Sequence, residues 1–373
     1  MPSGAATAAR ARPERIDQVI PAIVEHDAVS NHTFEAQRLL VEMGFSSEIY
    51  ARIIGPGCEG RVRPLDELPA VGDGSQWLCY QSSIGSPAAE VFARHPAPKL
   101  LDYHNITPAP LVERWLPPLG DEARLGRAQL AALAPLVDFA FADSAYNAAE
   151  LTAAGFRVAR VVPVLVESGN LDASADVALG SKLAADKARG GADWLFVGQV
   201  APHKAQHDIV KALACYREAY DPNARLHLVG REMGSTYRDA LVRFVDALGL
   251  RGAVELPGSV PTAALAAYYE AADVFVCCSE HEGYCAPLVE AMSRGVPVVA
   301  YAQAAVPETV GDAGVLLPDK RPALVAAAVH AVLSAPDLRA GLVRAGHARA
   351  ERSTLAVARA AFRAAIDEAL ATI

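Results

Sequence analysis

No run of eighteen apolar residues occurs in this 373-residue sequence, which excludes a hydrophobic helix long enough to span a bilayer. Dense Lys/Arg blocks are also missing. The 34 basic residues are outnumbered by 43 acidic ones, for a formal net charge of −9, and without a basic footprint a nucleic-acid partner is not expected. Cysteine is scarce. The six residues are Cys58, Cys79, Cys215, Cys277, Cys278 and Cys285, and no two CxxC pairs stand at finger spacing, which argues against a structural zinc site. Cys277 and Cys278 lie in an apolar run and read as small buried hydrophobes. This usage suits a reducing compartment, so a cytoplasmic protein is expected. Residues 1–15, MPSGAATAARARPER, lack the apolar core of a signal peptide. They read as a frayed tail, with a targeting role or peripheral membrane contact as the alternative.

Hydrophobic residues make up 52% of the chain and charged ones 21%, a soluble and globular balance. The length is too great for one ordinary core, so two domains are expected. With aromatics at only 6%, the packing must be largely helix against sheet. Ile16–Val24 reads as a strand and Ala28–Asn31 as a polar loop. Thr33–Met43 follows as a helix stopped by Gly44, and Ser47–Ala51 as a second strand. Trp77–Tyr80, Lys99–Tyr103, Phe139–Ala142 and Arg160–Val164 continue the series. In the second half, Trp194–Val197, Arg225–Val229, Val274–Cys278 and Val296–Tyr301 read as strands, alternating with helices near His207–Tyr220 and Thr262–Ala271. The fold class is therefore α/β, with two Rossmann-like doubly wound domains in place of one barrel. The expected boundaries are a tail at 1–15, a first domain at 16–170, a linker with some helix at 171–191, rich in Ala, Gly, Ser, Asp and Lys, a second domain at 192–350, and a helix at 351–373.

The most informative segment is Ser279–Met292, which directly follows a buried strand and so lies at a carboxyl edge, where open α/β sheets bind ligands. Pro287 suits the first position of a short helix, which would make Ala286 its cap. Alanine offers no side-chain acceptor, so the first-turn N–H groups stay open to an anion such as a diphosphate. Glu282 and Glu290 bracket this turn eight residues apart. Carboxylates there suit sugar and ribose hydroxyls. The alternative is that Glu290 only complements the positive helix end.

The Glu-x7-Glu spacing of Glu282 and Glu290, within EHEGYCAPLVEAMSRGVPVVA, resembles the motif of the retaining GT-B glycosyltransferases of family 4. The resemblance extends through WLFVGQVAPHKAQHDIVKAL, LHLVG and AAVPETVGDAGVLLP, nearly the whole second half. It implies two domains across a cleft, with the C-terminal helix, Ser353–Leu370, crossing back to the first. It also implies a nucleotide-diphosphate sugar donor (UDP-, GDP- or ADP-linked), Glu282 on the hydroxyls of the donor sugar, and Glu290 on the ribose. The family's basic pair maps to Lys204 and Gln199, the latter a departure from arginine, with Arg231 as a substitute cation. Gly258, Gly283, Tyr284, Cys285, Ala286 and Leu288 join the donor set by the same resemblance. In the first half, Ser30 and Asn31 stand where the family has a glycine-rich phosphate loop. His104 stands where it has a strand-end histidine beside the donor sugar. Asp143, Ser144 and Asn147 resemble a further loop, with a helix cap as the alternative.

The resemblance implies hexosyl transfer with retention. Attack is expected on the face the diphosphate leaves, with Lys204 and helix amides stabilising the leaving group and with His104 and Glu282 at the reacting centre. No metal and no cofactor are required in this reading. A nicotinamide-dependent oxidoreductase is disfavoured, since neither Ala28–Asn31 nor Gly198–His203 provides Gly-x-Gly-x-x-Gly. A phosphorylase or epimerase of the same fold, or a non-catalytic binding module, stays open. The acceptor (a glycan, a lipid-linked sugar or a small molecule) and the oligomeric state are not legible in these residues.

Overall fold

The structure, a computed structural model, describes residues 12–25, 27–70, 74–166 and 175–373. Most of the expected tail, His26 and residues 171–174 of the expected linker lie outside the described residues. The chain divides into two compact units. The first comprises Met1–Ile106, Glu122–Val166 and Ala356–Ile373, and the second Thr107–Asp121 and Glu167–Leu355.

The first unit is built on strands β1 (Arg15–Ile23), β2 (Ile49–Ile54), β3 (Arg63–Pro64), β4 (Gln76–Ser82), β5 (Lys99–Tyr103), β6 (Phe139–Ala142) and β7 (Val158–Val161). They form a parallel sheet in the order β3-β2-β1-β4-β5-β6-β7. Every residue of β4 and β5 is buried, as central strands covered on both faces must be. Helix Ala28–Glu42 starts five residues before the expected Thr33, because Asp27 caps it by accepting the Ser30 N–H at 3.0 Å. The expected loop Ala28–Asn31 is therefore the first helical turn. In the same unit, helix Leu355–Thr372 buries Phe362, edge-on to Phe141 at 5.9 Å, and its Arg359 pairs with Glu42 at 2.7 Å.

The second unit carries β8 (Asp193–Val197), β9 (Arg225–Val229), β10 (Val254–Gly258), β11 (Val274–Cys277), β12 (Val298–Tyr301) and β13 (Gly314–Leu317). They too form a parallel sheet, ordered β10-β9-β8-β11-β12-β13. The strand order reverses between β8 and β11, so the crevice at their carboxyl ends is the switch point of this sheet. The helix expected within the linker is Val177–Ala188, capped by Asp176, whose N–H donates to Ala263 O at 2.9 Å. One segment departs from the sequence reading. Thr107–Asp121, read as part of the first domain, belongs to this unit, where Trp115 meets Tyr237 edge-on at 5.4 Å. Thr262 opens its helix but does not cap it; Pro261 holds the cap position. Among the described residues no single helix is long and apolar enough to cross a membrane.

Candidate functional site

Two loops meet at the switch point of the second sheet. The one after β8 passes through a short turn at Pro202–Lys204 and enters helix Gln206–Ala219 by way of Ala205, held in the left-handed region at φ 50°. The one after β11 runs to Cys285, also left-handed at φ 66°, which caps helix Ala286–Ser293. Non-glycine residues in this conformation cost about 1 kcal/mol or more each, and here the adjoining loops hold them. Glu280 N–H donates to His203 O at 2.8 Å, tying one loop to the other. Thr309 Oγ donates to Tyr284 O at 2.5 Å, and Ala305 N–H to Glu282 O at 3.2 Å. Nearby, Gly230 is required by contact. A Cβ there would lie 1.9 Å from Gly198 O, so the ends of β8 and β9 can approach only without a side chain.

This scaffold sets Lys204 Nζ 2.6 Å from Glu282 Oε2, with both side chains largely buried. Burial works against the ammonium, but the Glu282 carboxylate, and less so Cys285, outweigh it and hold the Lys204 pKa above its usual value. Lys204 is therefore a fixed cation at neutral pH. Burial, together with Lys204 and His281, holds His203 well below the ordinary histidine value, so its ring is neutral. A second ionic group adjoins. Lys320 Nζ lies 2.6 Å from Glu280 Oε1 and 2.7 Å from Asp208 Oδ2, and Asp208 also holds Lys211 at 2.8 Å. His203 and the Lys320 group escaped the sequence reading because their partners lie far along the chain.

Helix Ala286–Ser293 has no side-chain cap. The cap residue is Cys285, one place earlier than the sequence reading put it, and Gly283, Tyr284, Cys285 and Ala286 are half-buried at this end. Leu288 corrects the expectation. Its side chain is in the core and its N–H donates to Cys285 O at 3.0 Å, so its amide is not open to a ligand. Glu290 accepts from Tyr269 OH at 2.8 Å. Burial raises its pKa above the usual carboxylate range, with Tyr269 and Arg294 in opposition. The structure thus joins Lys204, Glu282 and Cys285, and gives Glu290 a separate partner. Gln199 accepts from Gln206 Nε2 through its carbonyl at 2.8 Å. Arg231 is exposed, on the segment whose carbonyl takes the Val200 N–H at 2.9 Å. Gly258 closes β10 at φ 76° and accepts the Gly230 N–H at 3.0 Å.

In the first unit, Ser30 is a further correction. Its hydroxyl is engaged by Asp27 at 3.0 Å and by the Val24 N–H at 3.1 Å, so it serves the helix start. Asn31 is exposed on that helix. His104 follows β5 and is buried. Its Nδ1 lies 3.1 Å from Asp143 Oδ1, and its Nε2 lies 2.5 Å from Gln81 Oε1. Gln81 Nε2 donates to Gln18 Oε1 at 2.8 Å, so its oxygen faces His104 as an acceptor. Both ring nitrogens therefore donate, and His104 is an imidazolium. Burial lowers its pKa, yet Asp143 and Asp102 outweigh that and raise it to about 9. His32 Nδ1 accepts the Leu165 N–H at 2.9 Å, which puts its ring proton on Nε2, 2.7 Å from Asp102. Ser144 caps helix Ala145–Ala153 by accepting the Asn147 N–H, the alternative role weighed for it above.

Metal-ligand geometry occurs twice among the described residues. Donor atoms of His32, His104 and Asp143 lie within 4.8 Å of one another, as do those of Cys277, Glu282 and Cys285. In the first group both ring nitrogens of each histidine already have protein hydrogen-bond partners.

Residues 185–349 match the family of glycosyl transferases group 1. The matched segment is less than half of the chain. It contains the Lys204–Glu282 pair and the Ala286–Ser293 helix of the second unit. A D-inositol 3-phosphate glycosyltransferase of Thermomonospora curvata is 36% identical over 167 residues, covering 42% of this chain and 38% of that one. An O-antigen chain mannosyltransferase B of Escherichia coli is 33% identical over 122 residues, covering 33% and 32%. The chain thus spans well under half the length of these curated relatives. Beyond the group 1 segment, the fold of the chain is that of GT-B glycosyltransferases. Anabaena HepE, solved with UDP-glucose, aligns with a TM-score of 0.73 at 17% identity, covering 95% of this chain and 99% of that one.

Proposed function

We propose that this protein is a retaining hexosyltransferase that uses a nucleotide-diphosphate sugar. The observation that carries the reading is the buried Lys204–Glu282 pair at the switch point of the second sheet, beside a helix with no side-chain cap. An ammonium held charged and amides left without a cap suit a departing diphosphate, whose charge grows as the glycosidic bond breaks. Glu282 is then released from Lys204 to accept sugar hydroxyls, while Lys204 turns to phosphate. Glu290, fixed by Tyr269, accepts a ribose hydroxyl. The UDP-glucose held by HepE accords with such a donor.

In this reading His104 is a fixed positive charge that orders its own loop in the first unit and transfers no proton. The departing phosphate accepts the proton of the attacking hydroxyl, so no metal or cofactor is needed for transfer. The donor-contacting set is Gln199, Lys204, Glu282, Gly283, Tyr284, Cys285, Ala286 and Glu290, with Arg231 as added positive charge. Six free cysteines accord with a cytoplasmic location.

The test is a screen of UDP-, GDP- and ADP-sugars, read by acceptor-stimulated nucleotide release, with the product anomer assigned by proton NMR. Release from one donor class with retained configuration is the expected result. An inverted product, or no release from any nucleotide sugar, refutes the reading.

A further inference from the structure

Cys277 closes β11, and Cys285 caps the helix that follows the next loop. One sulfur of each and a Glu282 oxygen lie within 4.8 Å of one another. Cys277 is fully buried and donates to Ser279 Oγ at 3.4 Å, while Cys285 is half-buried. In a tetrahedral site with metal–sulfur bonds of about 2.3 Å and a metal–oxygen bond of about 2.1 Å, ligand atoms stand roughly 3.5–3.8 Å apart. The three atoms therefore need to close by about 1 Å at most.

Charge favours the same occupant. Two thiolates and a carboxylate carry three negative charges. A divalent ion supplies two positive charges and the Lys204 ammonium the third. Lys204 binds Oε2 of Glu282, and ligating carboxylates are commonly held by such hydrogen-bonded partners.

We propose that Cys277, Cys285 and Glu282 bind a thiophilic divalent cation of the zinc class. Sulfur in two of three positions selects against magnesium and calcium. Binding converts two thiols to thiolates and releases two protons, with water in the fourth position. The ion is not a catalyst. It holds Glu282 and the turn before helix Ala286–Ser293 in place, so on the donor-site reading above it also blocks the donor. Metal binding itself rests only on the three side chains.

The experiment titrates Co2+ alone into the full-length protein, kept reduced with a phosphine. Thiolate-to-cobalt charge-transfer absorption and the intense visible bands of four-coordinate cobalt are expected, both erased by one equivalent of Zn2+. Cys285→Gly is the informative variant, because glycine adopts φ 66° without strain and the fold is retained. It should lose these bands and bind Zn2+ about 100-fold more weakly or worse, given that even outer partners of ligands are worth 10–100-fold. Cys277→Ala should do the same, and Cys215→Ser should not. Only the pale spectrum of six-coordinate cobalt, or an unchanged spectrum in Cys285→Gly, overturns the proposal. The donor reading is tested apart from it, by nucleotide binding to Lys204→Ala and Glu290→Ala in chelator-treated buffer.

Discussion

A buried imidazolium makes a sharp prediction about pH. His104 gives one N–H to Asp143 and the other to Gln81, whose oxygen is fixed by its own bond to Gln18. Raising a histidine from 6.5 to about 9 corresponds to about 3 kcal/mol of stability. Because the folded value lies above the unfolded one, this contribution is fully present below pH 6.5. It falls away as pH rises from 6.5 through 9. The assay is urea unfolding of wild type and His104→Gln at pH 6, 7.5 and 9.5, since the difference between the two chains cancels titrations elsewhere. The wild-type advantage should shrink by roughly 3 kcal/mol across that range. Nitrogen-15 NMR supplies an independent check, with both ring nitrogens protonated at pH 7.5. Asp143→Asn should lower the ring pKa. A singly protonated ring at pH 7.5, or a constant difference in stability, would refute the reasoning.

Other outcomes follow from the second unit and from the C-terminal helix. Lys204→Ala should lower turnover by about 10²–10³ and donor affinity much less, because charge on the leaving group grows in the transition state; steady-state kinetics with the preferred donor measure both. Glu290→Ala should weaken nucleotide binding by about 1.5–3 kcal/mol, seen by calorimetry. Unchanged affinity in a folded variant would remove Glu290 from the site. Phe362→Ala should cost the first unit about 3–5 kcal/mol, because its ring is fully buried against Phe141; urea unfolding monitored by far-ultraviolet circular dichroism measures it.

The sequence by itself determined the features that depend on neighbours along the chain. Parallel strands covered on both faces are continuous apolar runs, so the two sheets were legible from runs such as Phe139–Ala142 in the first and Val274–Cys278 in the second. The spacing of Glu282 and Glu290 around one helix start was legible for the same reason. Tertiary structure decided what depends on distant partners. Lys204 and Glu282 are 78 residues apart, and only the strand order, which places β8 beside β11, brings them within 2.6 Å. His104 became an imidazolium through Gln81 and Asp143, on two other segments. Ser30 was misread because its competing partner, Asp27, took the hydroxyl to start a helix. The helix Val177–Ala188 was legible within the linker, but its docking on helix Thr262–Ala271 is not written locally. Cys277 and Cys285 carry no metal spacing in sequence. They meet because the backbone at Cys285 turns left-handed, and a single φ angle leaves no mark on composition or periodicity.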